Sequence, residues 1–239
     1  MNENIKARGL KALPPQFSHY DINLTFDILR TFNYQIELSI EKAVDSYKES
    51  GPETLGYEET GDPDEGNYHC IDYYMGLYSN EVDLDDMFIT YYPSVTRRSA
   101  FLTLYGMLEH DYEKLCNGFA KSKNLRVNLS DLKGSGFERC DLFARKFMGM
   151  PTSRHMNMVK KITKLRNLCA HNDARFITND GQEIKEAIAL MEENPLYFDK
   201  DINQVNFKAG CLVFITHEFR HYFKDVEDAL LNYDKSLSK

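Results

Sequence analysis

Arg166-Asn167-Leu168-Cys169-Ala170-His171, followed by Asn172 and Asp173, closes a long run of helical periodicity. With Arg166 at zero and about 100° per residue, Ala170 falls near 40°, Ala174 near 80°, Asn167 near 100° and His171 near 140°. On the same wheel Met158, Ile162, Leu165 and Cys169 gather between about 260° and 320°, which makes them the core stripe. The polar set faces away from that stripe. Ala170 and Ala174 give it a shallow floor suited to a partner helix or a phosphate. Lys160 and Lys164 add positive charge beside the histidine. The helix is expected to open after Pro151, with Thr152 or Ser153 as N-cap, and to run to about Ala174.

Working outward, an apolar series at helical spacing, Leu24/Ile28/Leu29/Phe32/Ile36/Ile40/Val44/Tyr47, predicts a helix from about Asp21 to Lys48. Phe101/Leu104/Tyr105/Leu108/Tyr112/Leu115/Cys116 predicts another, Ser94 to Lys121. Gly134 and Gly136 precede a short helix, Phe137 to Phe147, and a last helix is expected from about Asn206 to Tyr233. Residues 1–18, with Pro14-Pro15, read as a loose arm. Ser50 to Asn67, with four Gly, two Pro and six acidic residues, reads as a long acidic loop. Tyrosine-rich residues 68–92 hold a short helix from Glu81. Asp180-Gly181 predicts a small hairpin across Phe176 to Ile184, after the Arg166–His171 helix. No strand series is evident. The fold class expected is all-α, one helical domain over residues 1–239 built from long antiparallel helices.

The net charge of −8 over 239 residues argues against a protein that coats nucleic acid non-specifically, but it permits a local basic cleft. Five widely spaced cysteines, Cys70, Cys116, Cys140, Cys169 and Cys211, form no C-x-x-C pair and read as free thiols of a reducing compartment. The first fifteen residues lack an apolar h-region, and no run reaches the ~18 apolar residues of a membrane span. A cytoplasmic location is expected, with no membrane contact.

The side chains of this helix suggest a chemistry. An imidazole can take a proton from a ribose 2′-hydroxyl or give one to a leaving oxygen near neutral pH. A guanidinium fork matches the oxygens of a phosphate. An amide such as Asn167 can hold the phosphate or orient the imidazole. One copy supplies one histidine, whereas strand cleavage needs a base and an acid, so two copies across a two-fold axis would complete the site.

Arg166-Asn167-x3-His171 late in a helical bundle resembles the HEPN superfamily, whose signature is Arg, a polar residue, then His four to six residues after the Arg. The stretch from Arg98-Ser99 through Leu108-Glu109 to Leu115-Cys116 also resembles the upstream helix of some members. The resemblance implies a HEPN-like bundle of four or five helices and a homodimer whose facing motifs cut RNA without metal. The products would be 2′,3′-cyclic phosphate and 5′-hydroxyl ends. It implies Arg166, Asn167 and His171 as catalytic, RNA rather than DNA as substrate, no cofactor, and a setting in toxin–antitoxin or anti-phage defence with an antitoxin or regulatory partner. Toxins of the family silenced by a nucleotidyltransferase often carry Tyr two residues after the His; here Asp173 stands there.

Glu109 is expected to orient Arg166 or His171 across the bundle, or to reach water from the edge of the core. Arg97 and Arg98, with Lys160 and Lys164, are candidate RNA contacts. The tyrosines from Tyr68 to Tyr92 suit base stacking or core filling. His217-Glu218-Phe219-Arg220-His221 spells H-E-x-x-H, the zinc peptidase pattern. It lacks an obvious third ligand, since Lys224 stands where one branch needs Gly, and it reads as two exposed histidines with no metal. Two readings lead: a HEPN-type endoribonuclease, or a catalytically silent HEPN module that binds RNA or a regulatory protein. The zinc peptidase is the weak third.

Overall fold

The seven apolar positions from Phe101 to Cys116 all become buried, and their helix is the centre of the fold. The computed structural model describes residues 22–58, 68–134, 136–178 and 180–237. Six helices dominate: α1 (Ile22–Ser50), α2 (Tyr92–Ser122), α3 (Gly136–Phe147), α4 (Met156–His171), α5 (Lys185–Glu193) and α6 (Cys211–Leu237). The class is mostly α, with two small antiparallel sheets. β1 (Glu53–Glu58), β2 (Tyr68–Tyr74) and β3 (Leu77–Tyr78) form one; β4 (Phe198–Asp201) and β5 (Gln204–Phe207) form the other.

α2 is covered by α1, α3, α4 and α6, which explains why its buried stripe is so broad. Phe137, at the start of α3, is the aromatic hub. Its ring centroid lies 5.0 Å from Tyr112, 5.1 Å from Tyr222 and 5.2 Å from Phe219. The buried hydroxyls in this cluster need partners. Tyr222 donates to Asp141 at 2.7 Å, so its oxygen is left to accept from Tyr112 at 3.0 Å. Arg145 Nε closes the chain on the other oxygen of Asp141 at 2.8 Å. Burial pushes both phenols well above their ordinary range, so they stay protonated as this relay requires.

Several expectations need correction. Residues 53–58 of the expected acidic loop are a strand, registered Leu55↔Ile71 on β2. Its β-forming partner lies across the loop, where local composition cannot reveal the pairing. Residues 59–67 and the arm, 1–18, lie outside the described residues. Tyr47 anchors the hairpin to α1, stacked on Phe88 at 5.1 Å and edge-on to Tyr74 at 4.9 Å, so these rings fill space between elements. The buried stripe of α1 is Ile22/Phe26/Leu29/Ile40/Tyr47 with Thr25 and Asn33, whereas Leu24 and Ile28 are exposed. Polar atoms decide that rotation: Thr25 donates to Asp111 at 2.5 Å, and Asn33 donates to Leu212 O at 3.2 Å and to Thr216 Oγ1 at 2.8 Å. The small hairpin expected at 176–184 does form, though with a single bridge, Ile177↔Glu183, flanked by Ile184 N–H donating to Phe176 O at 2.7 Å and Thr178 N–H to Gln182 O at 2.9 Å. α6 starts at Cys211 because Val205 and Phe207 bury themselves as strand β5 and Gly210, at φ +82°, turns the chain.

α4 buries Met156, Val159, Ile162, Leu165 and Leu168. It ends at His171, because Asp173 (φ +48°) and Ala174 (φ +57°) turn left-handed. Ala174 is fully buried beyond the helix, so it is no part of an exposed floor. Among the described residues, no helix is long and apolar enough to cross a membrane.

Leu165 is wholly enclosed in this core. Leu165→Ala should cost about 2–5 kcal/mol, seen as a lower urea midpoint with an unchanged slope. A loss under about 0.5 kcal/mol, the range of surface changes, would contradict the packing of α4.

Candidate functional site

Glu109 sits on α2 one turn after Tyr105 and next to Leu108, where a carboxylate must find partners or reach water. Two partners converge on it. One oxygen accepts from the backbone N–H of Phe137 at 3.2 Å, in the first turn of α3, where helix N–H groups are otherwise unsatisfied. The other lies 3.6 Å from Arg166 Nη2 on α4. Glu109 thus reaches Arg166 across the bundle and does not touch His171.

Gly136 makes the arrangement possible. Its φ is +46°, and a Cβ there would run into the Glu109 carboxylate. The glycine therefore admits the carboxylate to the helix end.

Arg166 is held on further sides. Its guanidinium carbon lies 5.2 Å from the centroid of the Tyr105 ring, and Nη1 donates to Asn167 Oδ1 at 3.0 Å. The floor under Arg166 is thus an aromatic face rather than alanine. Tyr105 is itself fixed, its hydroxyl 3.0 Å from Thr163 Oγ1. Thr163 gives its own proton to Val159 O at 2.8 Å, so Tyr105 is the donor. Burial, the largest cause, pushes the Tyr105 hydroxyl up to about 12, so it stays protonated.

The Arg166 side chain stays 30% exposed and faces a cavity of about 360 Å³. Three carboxylates, Glu109, Glu113 and Glu138, line this space with Arg166 and Asn167. Sequence reasoning found Arg166, Asn167 and Glu109. It missed Glu113, Glu138, Thr163 and Gly136, and it took Tyr105 as core alone. A glycine beside the first turn of α3 was the one available signal for the close approach.

His171 lies apart from this cavity. It is the last residue of α4, exposed, about 140° round the helix from Arg166. Arg98 braces the turn beyond it, 2.7 Å from the Asp173 carboxylate and donating to Asp173 O at 2.9 Å. Gln204 donates to the second Asp173 oxygen at 2.5 Å. Asp173 therefore secures the turn that follows the histidine.

The two candidate arginines are corrected accordingly. Arg97 is buried, bound through Nε and Nη2 to Glu37 (3.0 and 2.8 Å) and through Nη1 to Phe207 O at 3.3 Å. Burial places it beyond the reach of an RNA backbone. Arg98 is only 14% exposed and is committed to Asp173. Lys160 and Lys164 are exposed on α4, as expected. Cys169, within the same stretch, is packed against the core, and burial pushes its thiol up to about 12. It remains an unreactive thiol at neutral pH.

The H-E-x-x-H stretch lies on α6. His217 Nε2 and His221 Nε2 are 3.1 Å apart, and the His155 ring stacks on His221 at 5.0 Å. Burial and the neighbouring His217 and His155 rings lower the His221 pKa. Among the described residues, no group of three His, Cys, Asp or Glu side chains is arranged to hold a metal ion. The described residues therefore offer the peptidase reading no third ligand.

Gly136→Ala tests the Glu109 arrangement. Both the left-handed φ and the clash oppose the substitution, so it should destabilise by more than about 1 kcal/mol in urea unfolding. A midpoint at or above wild type would show that Glu109 is not held against α3.

Searches against protein-family models, curated proteins and solved structures found no match for this chain.

Proposed function

We propose that this protein is a HEPN-type, metal-independent endoribonuclease that acts as a homodimer, in a toxin–antitoxin or anti-phage setting. The observation that carries the reading is the state of Arg166. Its guanidinium is oriented by Glu109, Tyr105 and Asn167, yet stays partly open to a polar cavity. An arginine fixed in this way loses little freedom when it meets a phosphate. His171 and Lys164 sit exposed on the same helix, free to face a second copy.

In the reaction, one His171 imidazole takes the proton of the ribose 2′-hydroxyl as that oxygen attacks phosphorus. The bond from phosphorus to the 5′-oxygen breaks, and the His171 of a second copy protonates the leaving oxygen. The products are a 2′,3′-cyclic phosphate and a 5′-hydroxyl. Arg166 offsets the charge that grows on the non-bridging oxygens. Glu109 is a positioning residue, and Asn167 holds the guanidinium edge-on.

A second reading has its own observation. Three carboxylates share the Arg166 cavity, and Arg166 and His171 point about 140° apart, so one copy does not present both groups to one phosphate. That arrangement favours a catalytically silent HEPN module whose partner is a regulatory protein.

Purified wild type, His171→Ala and Arg166→Ala should be compared on RNA, with the ends analysed and a chelator present throughout. Wild type should cut and leave cyclic-phosphate ends in the chelator, while His171→Ala slows cleavage by about 10²–10⁴-fold. His171→Ala should stay within about ±0.5 kcal/mol of wild-type stability, since the ring is exposed. A mixed dimer of wild type and His171→Ala holds a single His171, so it should cut more slowly than the wild-type dimer if two copies share a site. No cleavage by a dimeric wild type would leave the silent module as the reading, and equal cleavage by His171→Ala would remove the histidine from the chemistry.

A further inference from the structure

The histidines of α6 have a geometry that the ribonuclease reading does not use. His217 and His221 are one helical turn apart, their Nε2 atoms 3.1 Å from each other and their ring planes at 84°. Two imidazoles on one metal ion, with bonds of about 2.0–2.1 Å, place their nitrogens about 3 Å apart. The helix therefore already holds the two nitrogens at the spacing of a chelate. His217 is exposed and His221 partly so, which leaves their Nε2 edge open to an ion and to water that completes its shell.

We propose that His217 and His221 form a two-nitrogen site for an imidazole-preferring divalent d-block cation, with Cu²⁺ held most tightly and Zn²⁺ less so. In the metal-free protein one Nε2 donates to the other, so one ring carries its proton on Nε2. Binding needs both Nε2 lone pairs, and that proton moves to Nδ1 of the same ring, with no change in net charge.

His155 is excluded as a third ligand by its own geometry. Its plane is within 10° of the His221 plane, and its Nε2 accepts from Arg154 Nε at 3.1 Å. It backs the His221 ring and fixes its tilt. The protein thus supplies two ligands and leaves the other positions open, which separates this site from a closed structural zinc centre. The open positions suit water or a small anionic ligand.

The test uses the full chain, titrated calorimetrically with CuCl₂ and ZnCl₂, beside His217→Gln, His221→Gln and His155→Gln. Wild type should bind one Cu²⁺ more tightly than Zn²⁺ at this site. Losing supporting contacts around a metal ligand alone costs about 10–100-fold, so removing either ligand should weaken binding at least tenfold. His155→Gln should bind within a few-fold of wild type. Circular dichroism checks that each variant keeps its helices. In NMR spectra, sub-stoichiometric Cu²⁺ should broaden the ring protons of His217, His221 and the adjacent His155 before those of His110 or His171. Unchanged affinity in His217→Gln and His221→Gln, or broadening that begins at other histidines, would overturn the proposal. So would an absence of saturable binding by the wild type.

Discussion

The face of α2 that carries Phe101, Leu104, Tyr105, Leu108, Tyr112 and Cys116 is buried along its whole length, and α1, α3, α4 and α6 are placed by the need to cover it. α4 and α6 cover it with branched and aromatic side chains, and α3 lies against it from Tyr105 to Phe119. Phe137 locks the junction by contacting Tyr112, Phe219 and Tyr222 at once. The phenol groups that come with so many tyrosines bring a second constraint, because each buried hydroxyl needs a partner. The relay from Tyr112 through Tyr222 to Asp141 and Arg145 meets it, and it ties α2, α6 and α3 together by direction as well as by area.

The candidate site follows from the same helix. Glu109 lies on the edge of that buried face, where its charge is costly unless compensated. The first turn of α3 and the guanidinium of Arg166 compensate it together, and this is why three helices meet at one carboxylate. Arg166 becomes oriented as a by-product of satisfying Glu109. A residue that looks peripheral on the α4 wheel is thus fixed by the core of its neighbour. The cost is local: the cavity that opens beside Arg166 is acidic, which sets the balance between a phosphate-binding and a protein-binding use of the same groove.

Arginine content alone is a poor guide to where a polyanion would bind. Arg97 and Arg98 are adjacent in sequence and serve two different structural joints. One is buried on Glu37 and the strand β5, and the other clasps the turn after His171. Both joints connect α2 to segments more than sixty residues away or to α1, and neither is implied by a basic pair near a helix start. Lys160 and Lys164 on α4 escape this fate because, among the described residues, no element covers them.

The sequence by itself determined the helices whose apolar residues recur at helical spacing over many turns. α2 and α4, most of α1 and α6, and the burial of Leu165, Phe101 and Tyr112 are legible because one side of a long helix must leave water. It also determined which residue types share a helix, so Arg166, Asn167 and His171 were found together, and Glu109 was recognised as a carboxylate in need of a partner. The tertiary structure decided which partners those groups take. Strand β1 needs β2 across the acidic segment, α5 and the β4–β5 hairpin are too short to show a period, and the end of α4 depends on Arg98 gripping Asp173 from another helix. The rotation of α1 depends on Thr25 and Asn33 meeting Asp111, Leu212 and Thr216. Periodicity reports how a segment faces water; it carries no information about hydrogen bonds made between segments far apart in the chain, and those bonds position this site.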